Sequence, residues 1–324
     1  MTVTGGQGPS NSERNRGVAL QADWFEHVAV NTPAAERRTT TLTTRRTVKK
    51  EWQAAWLVNA IRCMDLTTLA GDDTADRVRR LCAKAARPLA DHLMAGLGLS
   101  RLTTGAVCVY PTMVAAAVRA LSGTGIPVAS VATGFPAGLM PLDLRLAEIR
   151  YATDEGADEI DIVITRAHVL DANWSALYDE VAAMREACGP THMKAILATG
   201  DLKTLRNVYK ASMVAMQAGA DFIKTSTGKE GVNATLPVSL VMARAIRDYG
   251  GRTGFRIGFK PAGGMKTAKD AIAWQILMKE ELGNDWLKPD LFRLGASSML
   301  ADIERQLEHH VTGRYAASSR HALA

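Results

Sequence analysis

The sequence predicts a (β/α)8 barrel with an extra N-terminal helix. Three observations carry the prediction: eight short apolar runs, helical patterns between them, and charged residues at the ends of the runs. The runs are IRCMD (61–65), AVCVY (106–110), VASVAT (128–133), EIDIVI (159–164), HMKAILA (192–198), DFIKTS (221–226), RIGFK (256–260) and LFRLG (291–295). Most are continuously apolar rather than alternating, the pattern of parallel strands covered on both faces.

Before the first run, residues 1–33 contain Gly, Ser and Asn without periodicity and read as a flexible segment. Residues 34–60 read as an added helix covering the barrel floor. Between the runs, 72–85, 142–156 and 202–219 repeat apolar residues at three- and four-residue spacing. Gly156 and Gly219 are each followed by Ala-Asp and a strand, a helix stop feeding a β run. Eight such repeats over about 250 residues fit one barrel domain, 34–313, with 314–324 as a C-terminal tail. A doubly wound open sheet is the second reading, but no GxGxxG follows any strand, which removes the strongest argument for a dinucleotide site of that kind.

Composition narrows the function classes. With 47% hydrophobic residues, 22% charged residues and no long apolar run, the chain reads as globular and outside the membrane. The first thirty residues lack an apolar signal-peptide core, and Cys63, Cys82, Cys108 and Cys188 are widely spaced. Reduced thiols in the cytoplasm are the expectation. The net charge is +6, and residues 1–50 supply +4 of it, from eight Arg/Lys against four Asp/Glu. The basic stretch RRTTTLTTRRTVKK (37–50) runs directly into EWQAAWLVNAI. It therefore reads as a solvated helix face, with no nucleic-acid partner.

In a (β/α)8 barrel, chemistry collects at the C-terminal ends of the strands. Those ends carry Asp65, Cys108, Asp161, Lys224 and Lys260, and GASS (295–298) follows the last strand. A lone buried lysine beside an acid reads equally well as a structural ion pair. A second lysine on the adjacent strand changes the balance, because burial and like-charge repulsion both lower a lysine pKa. A lysine that sheds its proton near neutrality attacks carbonyls and forms a Schiff base, which then acts as an electron sink for C–C cleavage. That chemistry needs no metal or other cofactor. The seven histidines show no HxH or HxxxH spacing, which disfavours a zinc-dependent aldolase.

Three small-residue loops follow the last three strands: STGK (226–229), AGG (262–264) and GASS, with Ser297 and Ser298 as donors or helix caps. Loops of this kind expose backbone N–H groups to phosphate. A Walker A loop is excluded, since Ile223 and Glu230 stand where that motif needs Gly and Ser/Thr.

Taken together, MDLTTLAGDDT (64–74), AVCVYP (106–111), EIDIVI, DFIKTSTGK (221–229), GFKPAGG (258–264) and FRLGASS (292–298) resemble the deoxyribose-phosphate aldolases. VNAT, KEELGNDWLKP and HHVTGRYAA are similar to the longer, animal form of that family. The resemblance implies reversible cleavage of 2-deoxy-D-ribose 5-phosphate to D-glyceraldehyde 3-phosphate and acetaldehyde, in deoxyribonucleotide catabolism. It implies that Lys224 forms the Schiff base and that Lys260 tunes it and shuttles protons. Asp161 donates and accepts protons through a water shared with Lys260. Asp65 supports the lysine pair or contacts a substrate hydroxyl. Gly228, Lys229, Gly263, Gly264, Ser297 and Ser298 contact the phosphate, with Thr225 on the substrate side. Cys108 is either a substrate contact or a small core residue.

This chain departs from the family in two places: Ala198 stands where many bacterial members have a glutamate, and Tyr315 lies nine residues from the end rather than at it. The alternatives are another Schiff-base phosphosugar aldolase or a transaldolase, and a phosphosugar-binding protein without catalysis. The expected partners are phosphosugar and aldehyde substrates and a second copy of the chain.

Overall fold

The computed structural model describes residues 14–45, 47–317 and 320–322. Eight strands form its centre: β1 (Met64–Thr67), β2 (Ala106–Val109), β3 (Val128–Val131), β4 (Glu159–Val163), β5 (His192–Ile196), β6 (Phe222–Lys224), β7 (Gly258–Lys260) and β8 (Leu294–Ala296). All are parallel, in the order β7-β6-β5-β4-β3-β2-β1-β8. The two edges meet through Phe259 N–H to Leu291 O and Gly295 N–H to Pro261 O, both 2.9 Å, which close the barrel. Closure removes the unpaired edges of an open sheet. An open doubly wound sheet is thereby excluded.

The strands are buried because each is sandwiched. Outward-facing Leu66, Val107, Val128, Ile160, Met193 and Ile223 join one large apolar core with the surrounding helices. Threonines mark where those helices start. Thr74, Thr204, Thr235 and Thr267 each accept from a backbone N–H in the first turn, and Thr267 forms a reciprocal capping box with Asp270. Such caps satisfy otherwise orphaned donors and fix where a loop becomes a helix. They therefore hold the loops that leave the C-terminal ends of the strands.

Three sequence expectations need revision. Residues 61–62 belong to the helix Lys50–Arg62, not to the first strand, which begins at Met64. The apolar spacing Ala54, Leu57, Val58, Ile61 keeps a buried helical face running to that point. The expected added helix is three helices, Thr32–Thr40, Leu42–Arg45 and Lys50–Arg62. They pack against the outer helices Leu236–Thr253, Ala268–Leu282 and Met299–Thr312 rather than under the barrel. Finally, residues 14–33 are docked, not free. Asn15 is buried, donates to Asp221 Oδ1, Met216 O and Ala220 O at 2.8–2.9 Å, and accepts from Tyr249. Phe25 is buried against Trp174. Residues 1–13 of the expected flexible segment lie outside the described residues. At the other end, Arg320 pairs with Glu308 at 3.1 Å, which sets that part of the tail against the last helix.

Among the described residues, no helix is long and apolar enough to cross a membrane.

Candidate active site

The barrel axis carries charge where a barrel usually carries aliphatic side chains. Six charged groups form a closed alternating ring. Lys260 Nζ lies 2.5 Å from Asp65 Oδ2, in an ion pair off the hydrogen-bonding direction, and donates to Asp161 Oδ2 at 2.8 Å. Lys194 donates to Asp161 Oδ1 at 2.9 Å and to Glu159 Oε2 at 2.5 Å. Arg293 donates to Glu159 Oε1 at 2.7 Å and returns to Asp65 Oδ1 at 2.7 Å. All six are buried.

The ring holds three cations and three anions, so it is neutral. Lys224 hangs on it as a seventh charge, donating to Asp161 Oδ2 at 2.8 Å and, among the described residues, reaching no other carboxylate. Each ring cation, by contrast, touches two carboxylates.

That asymmetry sets the proton affinities. Burial pushes the Lys224 pKa down, Asp161 pulls it back, and the Lys260 ammonium pushes it down again; the net direction is downward. Burial also works against Lys260 and Lys194, but two carboxylates outweigh it in each case and both pKa values rise. Burial alone would raise Asp161, yet three ammonium groups hold it well below the usual carboxylate range. Of the two, Lys224 therefore holds its proton less tightly than Lys260. Desolvation and like charge are the two causes the sequence pointed to, and desolvation is the larger.

Beside the lysines lies an apolar wall of Cys108, Val131, Phe135, Val163 and Ile196, with Leu69 and Tyr110 packed on it. Excluding water here strengthens every charge interaction nearby. Cys108 is fully buried in this wall, and burial pushes its thiol pKa up, the environment of an inert thiol.

The loops after β6, β7 and β8 adjoin one another. Ala262 bridges to Gly295, and Gly263 approaches Gly228 so closely that a Cβ on Gly263 would lie 2.8 Å from the Gly228 Cα. Gly263 has φ +73° and Gly228 φ +87°, so both the contact and the backbone demand glycine. Lys229, Gly264, Ser297 and Ser298 are exposed at this rim. Ser298 precedes the helix Met299–Thr312 but makes no side-chain cap, which leaves its hydroxyl uncommitted to capping. Thr225 is different. Its hydroxyl accepts from Ala262 N–H at 3.0 Å, so it clamps two loops together instead of facing the rim. One further expectation changes. Lys260 meets Asp161 directly at 2.8 Å, with no room for a bridging water. Tyr315 stacks on His309 at the C-terminal end of the last helix, the end opposite the rim.

A family model described as DeoC/LacD family aldolase matches residues 59–291, which span β1 to the approach to β8. The chain belongs to the DeoC/LacD aldolase family. The human deoxyribose-phosphate aldolase is 60% identical over 94% of this chain and 98% of its own length. The mouse deoxyribose-phosphate aldolase is 60% identical over 93% of this chain and 96% of its own. The tetrameric deoxyribose phosphate aldolase of Aeropyrum pernix shares the fold, with a TM-score of 0.58 at 21% identity over 86% of this chain and 99% of that one.

Half of this aldolase's ring escaped sequence reasoning: Lys194, Glu159 and Arg293. The signal was present, because each is a charged residue in an apolar run. Glu159 also sits two residues before Asp161 on the same face of β4.

Proposed function

We propose that this aldolase reversibly cleaves 2-deoxy-D-ribose 5-phosphate through a Schiff base on Lys224. The observation that carries the reading is the neutral ring with Lys224 as its surplus cation. A lysine held by one carboxylate in a dry, positively biased site is the group most easily made a free amine.

In this reading the Lys224 amine attacks the aldehyde carbon of the open-chain sugar to give a carbinolamine, which loses water to form the protonated imine. A base takes the proton from the 3-hydroxyl, and the C2–C3 bond breaks. Its electron pair flows to the imine as an enamine, and glyceraldehyde 3-phosphate leaves. Protonation of the enamine at C2 and hydrolysis release acetaldehyde and restore Lys224. Asp161 and Lys260 move these protons, Asp65 holds Lys260, and Arg293 holds Asp65. Gly263, Gly264, Ser297, Ser298 and Lys229 receive the phosphate, and the wall around Cys108 faces the two-carbon fragment.

Borohydride trapping tests this. Incubation with acetaldehyde followed by reduction is expected to add 28 mass units (roughly one ethyl group per imine) to the peptide holding Lys224. A label on another lysine, or none, would falsify the assignment.

The barrel domain and its docked N-terminal helices act as one catalytic unit, and four buried, unpaired cysteines support a reducing, cytoplasmic setting. We also infer that a second copy of the chain covers the helix Leu142–Asp154. Leu144 and Tyr151 are 46–50% exposed, and with exposed Ala147 they follow the 3-4 spacing of a helix-packing seam, beside which Met140 is 42% exposed just before the helix. Asp143 and Arg150 flank that seam with opposite charges, so an antiparallel two-fold pairing sets each against the other. The expectation is a dimer by sedimentation that Leu144→Glu converts to monomer. A monomeric wild type, or a dimer indifferent to this change, removes the interface.

A further inference from the structure

We propose that Glu230 sets specificity for dianionic phosphate: its carboxylate occupies the backbone N–H nest of the loop after β6 until a phosphate displaces it. This rests on the rim of the β6–β8 loops being the phosphate site. The Glu230 carboxylate accepts from Thr227 N–H at 3.0 and 3.1 Å and from Gly228 N–H at 3.1 Å. Its side chain is only 2% exposed although the loop around it is open to solvent. Consecutive N–H groups converging in this way form an anion site. Here the chain itself supplies the anion, on the loop whose Gly228 lies against Gly263.

A route of exit exists. Arg166 Nη2 lies 3.7 Å from Glu230 Oε1. Arg166 is anchored by Asp201 at 2.9 Å and by the carbonyls of Ala137 and Pro136 at 2.6 and 3.1 Å. A displaced carboxylate therefore moves toward a fixed guanidinium and keeps a charged partner.

The exchange has a direction. A neutral substrate end cannot compete with a carboxylate for charge-assisted N–H bonds, and a monocarboxylate competes only on equal terms. A phosphate dianion brings more charge and more acceptor oxygens, so it alone gains by the swap. Glu230 thus imposes a penalty on every anion that enters the nest, which a dianion overcomes and a monoanion does not, and imposes none on a neutral end that stays outside it.

Glu230→Gln tests the idea, since glutamine keeps an acceptor for the loop but lacks the charge. Inorganic phosphate, as a competitive inhibitor, is expected to bind about tenfold more tightly to this variant, the difference between a charged and a neutral hydrogen-bond set. The ratio of kcat/KM for phosphorylated over unphosphorylated deoxyribose rises by a similar factor. Glu230→Asp, too short to fill the nest, moves both readouts in the same direction. Unchanged or weaker phosphate binding in Glu230→Gln would mean that Glu230 is only a brace for the loop, and would overturn the proposal. Failure of inorganic phosphate to compete in the wild type overturns the phosphate rim itself.

Discussion

Lys224→Leu is expected to lower kcat by about 10⁵ while leaving the barrel as stable as the wild type or more so. The loss follows from removing the nucleophile, a change that in other covalent enzymes costs about this much. The stability half follows from the ring. Lys224 is the surplus charge, and Asp161 retains Lys194 and Lys260 after it is gone. Replacing a buried, singly paired ammonium by a shorter apolar side chain removes a desolvation penalty of several kcal/mol, which offsets the small cavity left, and strands no anion. Thermal melts and steady-state kinetics on the same preparation check both halves. Turnover above about one per cent of wild type would place the nucleophile elsewhere, since a true covalent catalyst leaves far less. A variant that is inactive because it melts at much lower temperature would show that Lys224 is structural.

This opposition between stability and activity marks a functional site, where local rules of folding are broken for chemistry. It also explains which parts of the site were legible in the sequence. Lys224 and Lys260 stood out as charges at the ends of apolar strands, where barrel enzymes place chemistry, and Asp161 as an acid within one. Glu159 lies deeper, at the start of its strand, and Lys194, though in register with Asp161, stands alone in the middle of its run with no second charge beside it to draw notice. Arg293 precedes β8 and reaches Glu159 on β4, across the barrel. Pairing between strands that are not neighbours arises from closure, and no periodicity in a single strand reports it. The start of β1 was misplaced for a simpler reason: Ile61 continues the buried face of a helix as readily as it begins a strand. The docking of residues 14–33 was hidden because it rests on one asparagine bonding backbone carbonyls, a contact without a compositional signature. Glu230 was noticed only as the residue that rules out a Walker A loop, and its role needed the folded loop.

Lys260→Leu is expected to act in the opposite way to Lys224→Leu on stability and to shift the pH dependence of imine formation. Lys260 is a ring member, so its loss leaves Asp65 with Arg293 alone and turns a neutral ring into an anionic one. Removing one partner of a buried pair costs roughly 3–5 kcal/mol, so a clear drop in melting temperature is expected. For catalysis, Lys224 attacks only as the free amine. Lys260 lowers the Lys224 pKa as a nearby cation and also shares Asp161, which raises it. Deleting Lys260 removes the first effect and concentrates the second on Lys224, so both changes raise the Lys224 pKa. The acid limb of the kcat/KM profile and of borohydride trapping therefore moves to higher pH. At pH 7 the deficit is about 10²–10³, and roughly tenfold is regained per pH unit until the free amine predominates. A residual deficit remains on the alkaline plateau, because the proton carried by Lys260 is absent at every pH. An unshifted acid limb with a uniform loss would mean that Lys260 shuttles protons without tuning Lys224. Full activity at pH 7 would remove it from both roles, and the low Lys224 pKa would then rest on burial alone.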